Sequence, residues 1–121
     1  MRAALTAVFL TAFVAHAAAA ELGGVWLRDN GASRVRVAPC GDSMCGTIIW
    51  LKDTKGEAKI GQRVFYNMKA NGANAWTGNA FNPEDGKTYS GKMTLSGDTL
   101  TTSGCVLGGL ICRSVSWSRF N

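Results

Sequence analysis

Short reversals recur about every ten residues along this chain beyond its first twenty, and no stretch between them carries the apolar period of a helix. The reversals are Asp29-Asn30-Gly31, Gly41-Asp42-Ser43-Met44, Asn71-Gly72-Ala73-Asn74, Asn82-Pro83-Glu84-Asp85-Gly86, Ser96-Gly97-Asp98 and Gly108-Gly109. Glycine, asparagine, aspartate and proline reverse a chain for separate reasons: positive φ, side-chain bonds to nearby backbone, or a preset φ. Such spacing leaves room only for strands, and strands so punctuated build a barrel or a sandwich.

The segments between the reversals read accordingly. Gly23 to Arg28 forms a first strand, and Ser33 to Cys40 a second, with Val35 and Val37 alternating against Arg34 and Arg36. Cys45 to Leu51 pairs with it as a hairpin. Lys52 to Lys59 is a charged loop, and Ile60 to Met68 is taken as a strand. Ala75 to Phe81 follows, then Lys87 to Leu95, in which Tyr89, Gly91, Met93 and Leu95 share one face. Thr99 to Leu107 and Leu110 to Phe120 form a last hairpin about a two-residue Gly108-Gly109 loop. About eight antiparallel strands in hairpin order close most simply into a small up-and-down barrel, with a sandwich as the alternative.

The first twenty residues have another character. Arg2 precedes an apolar run from Ala3 to Ala15, and Ala15-His16-Ala17 and Ala18-Ala19-Ala20 offer small residues for cleavage. This is the layout of a secretory signal. The run is shorter than the roughly 20 apolar residues that span a bilayer. Residues 1–20 are therefore expected to be removed, leaving 21–121 as one domain in the periplasm or medium, with no transmembrane span. Arg2 leaves too, so the net charge of +5 falls to about +4. The remaining cations are interspersed with acids, which argues against nucleic acid as a partner.

Export places Cys40, Cys45, Cys105 and Cys112 in an oxidising compartment, where an even count points to disulfides. Four cysteines allow three pairings. Cys40 and Cys45 flank one turn and Cys105 and Cys112 another, which favours local pairing. Bridges closing such short loops add roughly 2–2.5 kcal/mol each on the chain-entropy account. Across a two-residue loop, Cys105 and Cys112 fall at a hydrogen-bonded pair, so a bulge is expected there. A four-cysteine zinc site needs closer spacing in the second pair, so no metal is expected.

Catalytic chemistry finds little support. The sole histidine, His16, lies in the leader, so the mature domain lacks a Ser-His-Asp or Cys-His set. Most carboxylates stand at turns, and Glu84 and Asp85 are neighbours in one turn, a poor geometry for glycoside hydrolysis. No glycine-rich loop opens a helix for a phosphate. The chain is read as non-catalytic and without a cofactor.

The aromatics are the better clue. Most should fill the core, but Trp50, Trp76 and Tyr89 are candidates for the wall of a cavity holding a small apolar or amphiphilic envelope molecule. The alternative is a protein-interaction module, an inhibitor or adaptor of an envelope enzyme, that presents Glu84 and Asp85 on a rigid turn.

Gly24-Val25-Trp26 near the start, with Trp117-Ser118-Arg119 near the end, resembles the closure of lipocalin-type barrels. That resemblance implies that the Arg119 guanidinium covers the Trp26 indole, a contact worth roughly 0.5–2 kcal/mol. A wider set comprises Arg34-Val35-Arg36-Val37, Cys40-Gly41 with Cys45-Gly46, Ile49-Trp50-Leu51, Asn82-Pro83-Glu84-Asp85-Gly86-Lys87-Thr88-Tyr89-Ser90-Gly91, and Gly104-Cys105 leading to Trp117-Ser118-Arg119. Together these are similar to the exported bacterial family called domain of unknown function 2147. The resemblance implies a lipocalin-like barrel and a periplasmic or secreted location, and supplies no reaction. Residues 52–74 look shortened against that family.

Overall fold

A computed structural model describes residues 21–121; the expected signal segment, 1–20, lies outside the described residues. Eight strands follow one another in a closed antiparallel barrel, each paired with its neighbours in sequence and the last with the first. They are β1 (Gly24–Arg28), β2 (Ser33–Cys40), β3 (Ser43–Leu51), β4 (Arg63–Ala70), β5 (Ala75–Asn82), β6 (Lys87–Ser96), β7 (Thr99–Val106) and β8 (Ile111–Arg119). The barrel expectation holds. Closure leaves no strand edge for another chain to extend.

Alternation sets the core. On β6, Gly91, Met93 and Leu95 are buried while Ser90, Lys92, Thr94 and Ser96 are exposed. Trp26, Val35, Val37, Ile48, Phe65, Met68, Trp76, Met93, Leu100 and Trp117 meet in one apolar cluster. Phe65 and Trp117 meet edge to face, with ring centroids 6.2 Å apart. Both buried indole donors are satisfied: Trp26 Nε1 donates to the Leu22 carbonyl at 3.0 Å and Trp117 Nε1 to Thr102 Oγ1 at 2.9 Å. Gly46 permits one of the closest approaches, because a Cβ there would stand 2.8 Å from the Phe65 ring.

Three readings need correction. The fourth strand begins at Arg63, three residues later than expected, and Ile60 is exposed before it. The last hairpin turns through four residues, Leu107 to Leu110, because Leu107 takes a left-handed φ of 54° and ends β7 early. The register between β7 and β8 is consequently unbroken, with Cys105 opposite Cys112 and no bulge. Their Cα atoms are 4.1 Å apart, the close spacing of a non-hydrogen-bonded pair, which a disulfide accepts without a bulge. The pairing itself is as read: Cys40 to Cys45 and Cys105 to Cys112.

One end of the barrel is plugged. Trp26 and Leu22 are fully buried there. The Arg119 guanidinium lies 4.3 Å from the Trp26 ring centroid and donates to the carbonyls of Glu21 and Gly23 and to Asp98. Gly24 has a φ of 132°, and a Cβ on it would stand 2.8 Å from the Asn121 carbonyl oxygen. The glycine of the Gly-x-Trp element is thus the space through which the start of β1 and the residues after β8 meet.

Candidate functional site

The opposite end carries the β5–β6 turn and the β7–β8 hairpin tip. The inner face of β6, β7 and β8 can be followed towards it rung by rung. Leu95, Leu100 and Trp117 form a buried rung, and Met93, Thr102 and Val115 form the next, with Val115 only partly covered. Gly91, Gly104 and Arg113 come third, and Arg113 is exposed. Last are Val106 and Ile111, which share the inward parity of Leu100 and Trp117 yet are exposed. Tyr89 stands on the same inner face of β6, paired with the inward Ala80 and half-buried. The apolar lining thus runs out to a mouth instead of ending under cover.

Two polar features stand on this inner face. Arg28 pairs with Trp117 and shares its inward parity. Its Nε is buried and has no hydrogen-bond partner among the described residues. Tyr89 donates its hydroxyl to Asp85 in the β5–β6 turn. Asp85 also accepts the Lys87 N–H at 2.9 Å, and Asn82 Oδ1 accepts that of Glu84 at 3.0 Å. The Tyr89 hydroxyl, helped by the Lys87 N–H, holds the Asp85 carboxyl below its ordinary range. The same bond holds the Tyr89 phenol above its own, against the opposing pull of Arg113.

A pH-dependent result follows. The bond adds local order above the ordinary carboxylate range and below the ordinary phenol range. That order is lost as pH falls through the depressed Asp85 value or rises through the elevated Tyr89 value. The chain has two tyrosines, so a Tyr66→Phe variant leaves phenolate absorbance to report Tyr89 alone. Its titration midpoint should lie above that of free tyrosine, and Asp85→Asn should lower it. A midpoint unmoved by Asp85→Asn would show that the bond does not form in solution.

The candidate wall residues do not share a surface. Trp76 lies in the core cluster and Tyr89 at the mouth. Trp50 stands on the outer wall, because a bulge between Arg34 and Val35 opposes Arg34 to Trp50 and Val35 to Ile48. The extra residue, Ile49, shifts the phase of the strand and turns Trp50 outwards. There Arg34 is sandwiched, its guanidinium 4.3 Å from the Trp50 ring and 4.0 Å from that of Phe120. Glu84 and Asp85 do sit together in an exposed turn. Arg28 and Arg113 were missed: Arg28 stands next to the Asp29-Asn30-Gly31 turn and Arg113 next to Ser114, and a strand arginine in such company reads as a solvent face. The signal was the parity of β8, where Arg113, Val115 and Trp117 alternate with serines.

Shallow clefts open on the outer wall. One, of about 360 Å³, lies between the hairpin tip at Gly108 and Gly109 and the strands beneath, beside Thr77, Ser90 and Lys92. Among the described residues no three of His, Cys, Asp and Glu come together as a metal site.

Comparison with known proteins agrees with this architecture. The chain is similar in structure to protein HP1028 of Helicobacter pylori, described as belonging to the lipocalin family, with a TM-score of 0.68. The two share 16% sequence identity, and the match covers 84% of each chain. At that identity the likeness concerns the fold. No curated protein matches the chain in sequence. Residues 24–119, from the glycine of the Gly-x-Trp element to Arg119, match the family described as "Uncharacterized protein conserved in bacteria (DUF2147)". The chain, a closed lipocalin-like barrel with one end plugged by Leu22 and Trp26 beneath Arg119, belongs to that family.

Proposed function

We propose that this protein is an exported, non-catalytic binding protein that takes a small anionic amphiphile at the mouth of the barrel. The carrying observation is the buried, unpartnered Nε of Arg28 beside an inner face whose apolar lining is left uncovered. A buried donor without an acceptor is costly, and an anionic head group would satisfy it. Arg113 and Tyr89 would flank that group, while Val115, Val106 and Ile111 would receive a short apolar chain. The filled core sets the depth, since eight strands leave little room beyond side chains. Both disulfides fit an oxidising compartment. Cleavage at either alanine site would leave Leu22 in the chain to plug the other end.

Native mass spectrometry of gently purified protein should show a retained lipid-sized adduct. Short fatty acids should shift tryptophan emission through Trp117, the cross-strand neighbour of Arg28. Arg28→Gln should weaken binding about tenfold or more, the scale of one hydrogen bond to a charged group. No adduct and no emission response across a panel of such acids would overturn the reading. The Asn82 to Gly86 turn would then lead as a protein contact. It is pinned by its own hydrogen bonds and presents Glu84, which forms no ion pair among the described residues.

A further inference from the structure

We propose that the tip of the β7–β8 hairpin docks the protein on an anionic phospholipid surface. Leu107 and Leu110 would enter the interfacial layer, with Val106 and Ile111 behind them. Six large apolar residues are exposed in the described chain, and these four occupy one six-residue stretch, at 41, 68, 85 and 58% exposure for Val106, Leu107, Leu110 and Ile111. Scattered apolar residues need no explanation, whereas a contiguous patch marks an interaction surface. Folding does not account for this one. Leu107 holds a left-handed φ of 54° that favours glycine, and its side chain gains no burial in return.

The tip is also presented firmly. Cys105 and Cys112 clamp its base with Cα atoms 4.1 Å apart. It leans over the outer wall of β6, where Lys92 Nζ lies 3.7 Å from the place a Gly109 Cβ would occupy. From Thr99 to the end of the chain there is no acidic residue, and Arg113 stands beside the tip. Of the acids on the neighbouring turn, Asp85 is engaged by Tyr89. Cations behind an apolar tip complement lipid phosphates above acyl chains.

A lipid surface fits better than a protein partner because of area. Four side chains on a convex turn offer a patch of a few hundred Å² at most, against the roughly 800 Å² per partner of a stable protein interface. A bilayer needs no complementary shape. Docking there does not require the mouth to hold a ligand.

The test is co-sedimentation of the exported protein with phosphatidylcholine vesicles, with and without phosphatidylglycerol. Binding is expected to the anionic vesicles, and Leu107→Ser with Leu110→Ser should weaken it about tenfold or more. Both sites are exposed, so the double variant should keep the parent's unfolding midpoint. It also retains Arg28 and Tyr89, so fatty-acid binding and vesicle binding fail separately. In a second measurement, a Leu110→Trp variant should gain blue-shifted emission on the vesicles that brominated acyl chains quench. Equal vesicle binding by parent and double variant, no binding at all, or an unshifted Leu110→Trp would overturn the proposal. So would a dimeric parent that becomes monomeric in the double variant, because a second copy would then cover the tip.

Discussion

Replacing Trp26 by alanine is expected to destabilise the barrel by about 3–5 kcal/mol, the range for truncating a large aromatic in a packed core. Three losses coincide at this residue. The indole is fully buried, so its removal leaves a cavity between the first and last strands. The Leu22 carbonyl loses the donor that holds the N-terminal segment across the barrel end. The Arg119 guanidinium loses the ring beneath it while still bound to the carbonyls of Glu21 and Gly23. Arg119→Ala should cost less, roughly 1–2 kcal/mol, because the ring stays buried and only the contact and the stem packing go. The ion pair of Arg119 with the exposed Asp98 adds little to that difference. Denaturant midpoints for the two variants should therefore fall in the order parent, Arg119→Ala, Trp26→Ala. A Trp26→Ala midpoint at the parent's value would show that the plug does not hold the barrel. Hydrogen exchange should also rise first in Leu22 to Val25, the segment this residue secures.

The closure was legible because both its parts sit at chain ends and carry distinctive residues. The strands were legible where period two runs unbroken, as in β6, whose polar face alternates without exception from Thr88 to Ser96. Legibility fails where one residue changes phase. The bulge opposite Arg34 adds Ile49 to β3, and nothing in Ile48-Ile49-Trp50 shows which of three apolar residues is the extra one. The tip fails for a related reason. Two adjacent glycines signal a two-residue turn, yet the left-handed residue that sets the loop length is Leu107, a type that seldom takes that conformation. The inner-face position of Tyr89 was legible from its alternation with Thr88 and Ser90. That of Arg28 was not, although Arg28 shares the face of the buried Trp26, because a charged strand end next to the Asp29-Asn30-Gly31 turn reads as solvent-facing.

Removing both disulfides together is expected to cost roughly 4–5 kcal/mol, about 2–2.5 kcal/mol from each short loop. The two contributions should add, because the bridges serve opposite ends of the barrel and share no partner. Cys40 and Cys45 staple the β2–β3 turn at the plugged end, whereas Cys105 and Cys112 staple the β7–β8 hairpin at the other end. Alanine is the substitution to use, since Cys105 is buried and a serine hydroxyl there would need a partner. The two pairs should nevertheless differ in character. Every rung of β7 and β8 pairs without a register break, so the ladder can hold that hairpin's strands once the bridge is gone. Its loss should show mainly as faster exchange from Leu107 to Ile111. β3, by contrast, already carries irregularities at Met44 and Gly46, beside Cys45. Losing its bridge should loosen β3 against β4 and reach the core through Phe65, which packs across Gly46. Denaturant unfolding of the two double variants and the quadruple variant tests both statements. A quadruple loss well below the sum would mean that the two ends are coupled through the barrel wall. An equal exchange pattern for the two pairs would mean that strand register does not decide how each end loosens.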